Sequence, residues 1–142
     1  MSVNVGMRNV PDTPSNERCL AVESALNLCL HTIKICKNRN IFTVEYIDIV
    51  SLATQYSIDV YTCVFTANNI RVTDGKSKEK RLEYEKESLY ILNSLLGIIE
   101  ISQRLFHLRM KKKENWVRLA LNAKSLISKW YQSEKERYKD VS

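Results

Sequence analysis

From residue 14 onward, apolar positions recur at helical spacing in four blocks separated by polar breaks. The first block runs to Lys37 and carries Leu20, Ala21, Leu26, Leu28, Leu30, Ile33 and Ile35 on two mixed faces. Thr13-Pro14 has the form of an N-cap followed by proline at the first helical position. After the break KNRN (37–40), Ile41-Phe42-Thr43 predicts a second helix start, with Thr43 as cap. Ile47, Val50, Ala53, Tyr61 and Val64 then keep helical spacing despite many β-branched residues. A stretch of about 25 residues without a turn signal is too long for a strand. Asn68, Asn69 and TDG (73–75) mark the next connection. A third helix is predicted from Ser77, with Leu82, Leu89, Leu92, Leu96, Ile99 and Phe106 as its seam. The fourth is predicted over 113–139, with Trp116, Leu119, Ala120, Ala123, Leu126, Ile127 and Trp130 inward. Arg118, Asn122, Ser125 and Lys129 lie opposite.

The chain has three glycines and two prolines in 142 residues, and both prolines fall in the first fourteen. A long run without helix breakers and with short connections predicts an all-α protein, an antiparallel up-down four-helix bundle over 14–139. Residues 1–13, aperiodic and polar, are expected to form a flexible N-terminal tail.

Charge adds an asymmetry. The net charge is +6. Residues 1–70 hold five Lys/Arg against six Asp/Glu, and residues 71–142 hold seventeen against ten. A basic half suits a polyanion such as nucleic acid, although lysine and glutamate also simply solubilise helices. The four cysteines form no CxxC pair, and Cys29 and Cys36 sit in an apolar stretch where buried free thiols go. The N-terminus lacks an apolar signal region, and no uninterrupted apolar run approaches about 18 residues. A cytoplasmic protein without a membrane span is the expectation.

Patterns that carry catalysis are missing. Gly97 is isolated within a helix, so there is no phosphate-cradling glycine loop, and His31 and His107 are far apart. The Glu-x-x-His pair of a di-metal bundle does not occur. Glu83 and Glu87 read as a solvated charge face. The reading is a non-enzyme with no metal and no cofactor.

The basic residues fall into three groups: Arg71, Lys76, Lys78, Lys80 and Arg81; Arg104, Arg109, Lys111, Lys112, Lys113 and Arg118; and Lys135, Arg137 and Lys139. In an antiparallel bundle the first and third groups share one end and the second lies at the other. Two readings of Lys111–Lys113 stand together: contact with phosphates, or a cationic cap on the C-terminus of helix three.

Four stretches taken in order resemble a known family. IFTVEYIDIV (41–50) resembles the start of its second helix and TANNIRV (66–72) the end of that helix. LNSLLGIIEISQRLFHL (92–108) resembles its third helix, and NWVRLALNAKSLISKWYQSEKERY (115–138) its closing helix. The family is the Avd-like four-helix bundles, which include the accessory variability determinants of diversity-generating retroelements and proteins encoded in ribosomal RNA intervening sequences. Two of its glycines are replaced here, one near Glu45 and one at Ser128-Lys129. The resemblance implies a non-catalytic, homopentameric basic protein. Such a protein binds a reverse transcriptase and its template RNA, or RNA/cDNA, during mutagenic cDNA synthesis. On charge, the contacts would be Arg71, Lys78, Arg81, Arg104, Arg109, Lys112, Lys113 and Arg118. The alternative is a stand-alone RNA- or ribosome-associated oligomer of the intervening-sequence type. Leu28 and Ile35 are candidates to face a neighbouring subunit.

Overall fold

A computed structural model describes residues 15–37 and 44–142, which form four α-helices: α1 (Ser15–Lys37), α2 (Val44–Asn69), α3 (Gly75–Phe106) and α4 (Met110–Arg137). The predicted tail 1–13, the Thr13-Pro14 cap and the Ile41-Phe42-Thr43 start lie outside the described residues. α1 packs against α2 and α4, and α3 against the same two, as the all-α four-helix bundle requires.

Each helix turns one row inward. α1 contributes Ala21, Ala25, Leu28, Thr32 and Cys36, and α2 contributes Ala53, Ser57, Val60, Val64 and Ala67. α4 follows its predicted face, burying Trp116, Ala120, Ala123, Ile127 and Trp130. Alanines on three helices leave room for two indoles that are fully enclosed. The Trp116 indole N–H donates to Thr32 Oγ1 of α1 at 2.9 Å, so the largest core side chain leaves no orphan donor. Leu28 is buried and so is not free to face a neighbour, while Ile35 is half-buried at the edge of the core. Among the described residues, α1 alone is long and apolar enough to cross a membrane by length and composition.

The α3 seam differs from expectation. Its buried row is Arg81, Glu85, Ser88, Leu92, Leu95, Ile99 and Ser102, while Leu82, Leu89 and Leu96 are half-buried. The helix also starts earlier than Ser77. Asp74 accepts from the Ser77 N–H at 2.9 Å, and Ser77 Oγ accepts from the Asp74 N–H at 3.1 Å, a reciprocal capping box. Those Ser77 hydrogen bonds hold the Asp74 carboxyl below its ordinary range.

α3 ends at His107, which is left-handed (φ 53°) and donates its N–H to Gln103 O. Leu108 then turns inward and is buried. A non-glycine residue there costs about 1–2 kcal/mol, and glycine's added freedom in the unfolded chain returns up to about 1 kcal/mol of that. His107→Gly is therefore expected to stabilise the bundle by about 0.5 kcal/mol, read as a raised urea midpoint with unchanged slope. His107→Val is expected to destabilise it.

Candidate nucleic-acid interface

The lysine run is not a loop between helices. α4 begins at Met110, so Lys111, Lys112 and Lys113 occupy its first turn. They therefore do not cap the C-terminus of α3. They stand at the positive end of the α4 dipole, where cations are disfavoured and carboxylates are the stabilising choice. The first turn holds no acidic residue, and Arg109 at the cap position makes no side-chain capping bond. Local helix stability does not explain these lysines.

Lys113 has a structural partner. It meets Glu100 of α3 at 2.8 Å and ties the start of α4 to the end of α3. That pair holds the Glu100 carboxyl below its ordinary range, with Arg104 adding a weaker pull. Arg104 lies 3.8 Å from the same carboxylate but keeps 79% of its side chain exposed. Arg109, Lys111, Lys112 and Arg118 are exposed and make no ion pair among the described residues.

The fold brings two further cations to this end. The C-terminus of α1 lies beside the start of α4, as the Trp116–Thr32 bond requires, so Lys34 and Lys37 join the group. His31 marks the contact. Burial lowers its pKa first, and the charges of Lys34 and Arg118 lower it further, so both cations stand close to one imidazole. The linear sequence separates α1 from α4 by more than seventy residues, and no local signal pointed to Lys34 or Lys37.

The opposite end is chemically different. Arg71 is exposed there, but Lys78 Nζ donates to Val141 O at 3.2 Å. The remaining cations of that end are interleaved with Asp74, Glu79, Glu83, Glu136 and Asp140. Arg81 is not a surface residue at all; it is 3% exposed. Its Nε and Nη2 donate to the two oxygens of Glu134 at 2.7 and 2.5 Å, and Nη1 donates to Ile70 O at 2.8 Å. Trp130 Nε1 donates to Glu134 at 2.8 Å, and the guanidinium lies 5.6 Å from the Trp130 ring centroid. A side chain so enclosed cannot reach a polyanion, and Arg81 drops out of the expected interface. Of the expected set, Arg104, Arg109, Lys112, Lys113 and Arg118 share one pole, and Arg71 and Lys78 lie at the other end.

Glu85 completes the buried cluster, 3.6 Å from Arg81 Nε and fully enclosed. Neither of its oxygens accepts a hydrogen bond from a protein donor. One guanidinium cannot balance two buried carboxylates, so one carboxyl holds a proton. Burial, then the hydrogen bond and charge of Glu134, push Glu85 up to about 11 against the pull of Arg81. A protonated Glu85 donating to Glu134 satisfies both groups.

No family model matches the chain, and no curated protein or solved structure matches it.

The buried pair has a measurable signature. The folded pKa of Glu85 lies above its unfolded value, so the stability it contributes is fully present below about pH 4.5. That contribution is lost as pH rises toward 11. Glu85→Gln keeps a neutral donor in place of the acid. It is expected to be the more stable protein at pH 9 and to lose this slope, checked by urea unfolding of both proteins from pH 5 to 9.

Proposed function

We propose that the chain is a non-catalytic accessory protein of a diversity-generating retroelement, binding its reverse transcriptase and template RNA to support mutagenic cDNA synthesis. The observation that carries the RNA contact is the basic pole formed by α1, α3 and α4. Lys34, Lys37, Arg104, Arg109, Lys111, Lys112 and Arg118 gather there against few carboxylates. Lys111 and Lys112, cations without an ion pair at the wrong end of a helix dipole, act against local stability, which favours a ligand role for them. The retroelement and polymerase parts of the reading rest on the resemblance of residues 41–50, 66–72, 92–108 and 115–138 to the Avd-like bundles. A cytoplasmic location accords with that role.

Self-association belongs to the same reading, as a homopentamer. His31 faces α4 and Cys63 feels the charge of Glu87 on α3, so Leu26, Leu30 and Ile33 of α1 and Ile47, Ile58 and Phe65 of α2 turn away from those helices. Leu30 is 56% and Phe65 48% exposed, and no member of this seam belongs to the core. A nearly charge-free seam suits a second copy of a cationic chain better than its basic pole does. Leu30→Glu with Phe65→Glu is expected to yield monomers by sedimentation velocity with helical content unchanged.

Steeply salt-dependent binding to structured RNA is the expected behaviour, with affinity or specificity raised by the co-expressed reverse transcriptase. Arg104→Glu, Arg109→Glu and Lys112→Glu together should lower RNA affinity at least a hundredfold at physiological salt, measured by fluorescence anisotropy. RNA and polymerase binding left intact by that triple reversal would overturn the proposal.

A further inference from the structure

The outward face of α4 extends well beyond the basic pole. Lys111, Glu114, Arg118, Asn122, Ser125 and Lys129 follow one another at steps of three, four, four, three and four residues, which puts them on one face, and all are exposed. The face spans about 27 Å at 1.5 Å per residue. Glu114 is the one carboxylate among them, and from Arg118 to Lys129 every side chain of the row offers a hydrogen-bond donor. Lysine, arginine, asparagine and serine are the usual contacts to phosphate and sugar oxygens.

The aromatic side chains lie elsewhere. Trp116 and Trp130 are fully buried on the inner face of α4. Tyr131 is half-buried with Lys135 Nζ 5.2 Å from its ring centroid. The large exposed aromatics, Tyr90 and Phe65, belong to α3 and α2. Among the described residues, neither α1 nor the outer face of α4 presents an exposed ring. Proteins that hold unpaired strands rely on such rings to stack successive bases. A long donor face without a stacking platform suits a regular backbone whose bases are turned away.

We infer that the outer face of α4, from Lys111 to Lys129, tracks the sugar-phosphate backbone of double-helical RNA, and that unpaired RNA is not its ligand. Lys34 of α1, close to the same imidazole as Arg118, widens the contact at the pole end. The inference rests on the RNA-binding reading above and specifies the form of RNA.

The test uses the full chain and three probes of equal length: a duplex RNA, an RNA hairpin and oligouridine. Anisotropy titrations are run across a salt series on the wild type, Lys129→Gln, the pair Asn122→Ala/Ser125→Ala, and Lys80→Gln on α3 as a control. Duplex and hairpin are expected to bind at least tenfold more tightly than oligouridine. Lys129→Gln should weaken duplex binding several-fold and lower the salt slope by about one, while Lys80→Gln leaves both unchanged. Oligouridine binding as tight as duplex overturns the inference and leaves the RNA-binding proposal standing. Duplex affinity indifferent to Lys129→Gln and to the Asn122/Ser125 pair does the same. Failure of all three probes to bind the wild type overturns both.

Discussion

Glu134 is fully enclosed in the bundle, and the organisation of one whole end follows from balancing its charge. The carboxylate is gripped by Arg81 from α3 and by Trp130 from its own helix, while the same guanidinium reaches the carbonyl of Ile70 just past α2. Three elements are thereby joined through one side chain. Such a cluster contributes less to net stability than well-packed apolar residues of similar volume would, but breaking it by removing one partner costs about 3–5 kcal/mol. It defines the relative position of α3 and α4 more sharply than leucines could, because two parallel N–H···O bonds tolerate little sliding.

The cluster also shapes the surface. By drawing Arg81 inward it removes a cation from the end where the chain finishes, and the cations remaining there alternate with carboxylates. The opposite pole receives the helix ends carrying unpaired lysines and arginines. A protein whose overall excess of positive charge is modest thus concentrates it in one place, and local potential rather than net charge governs attraction of a polyanion.

Much of the architecture was legible from residue periodicity. The α4 face from Trp116 to Trp130 was readable because its apolar row lies opposite Arg118, Asn122, Ser125 and Lys129, with Leu121 the apolar residue left exposed. The α3 seam was misplaced at its first turns, since the inward row there is Arg81, Glu85 and Ser88, and a hydrophobicity pattern assigns such residues to solvent. The start of α3 was set by Asp74 and Ser77, whose reciprocal bonds override the turn signal of Asp74-Gly75. Leu28 was offered as a surface contact because α1 is apolar on more than one side, and only packing against α2 and α4 distinguishes its inner row from Leu30.

The sequence by itself determined four helices, their approximate limits and the existence of a basic half, because helical periodicity, breaker residues and charge are local properties. Tertiary structure decided which cations act together. Lys34 comes beside Arg118, and Lys37 to the same pole, because antiparallel packing returns α4 along α1, and Arg81 leaves the surface because Glu134, fifty-three residues away, needs a counter-charge where water is excluded. Burial and charge pairing across helices are properties of the packed bundle, and no spacing along the chain encodes them in a form that can be read one residue at a time.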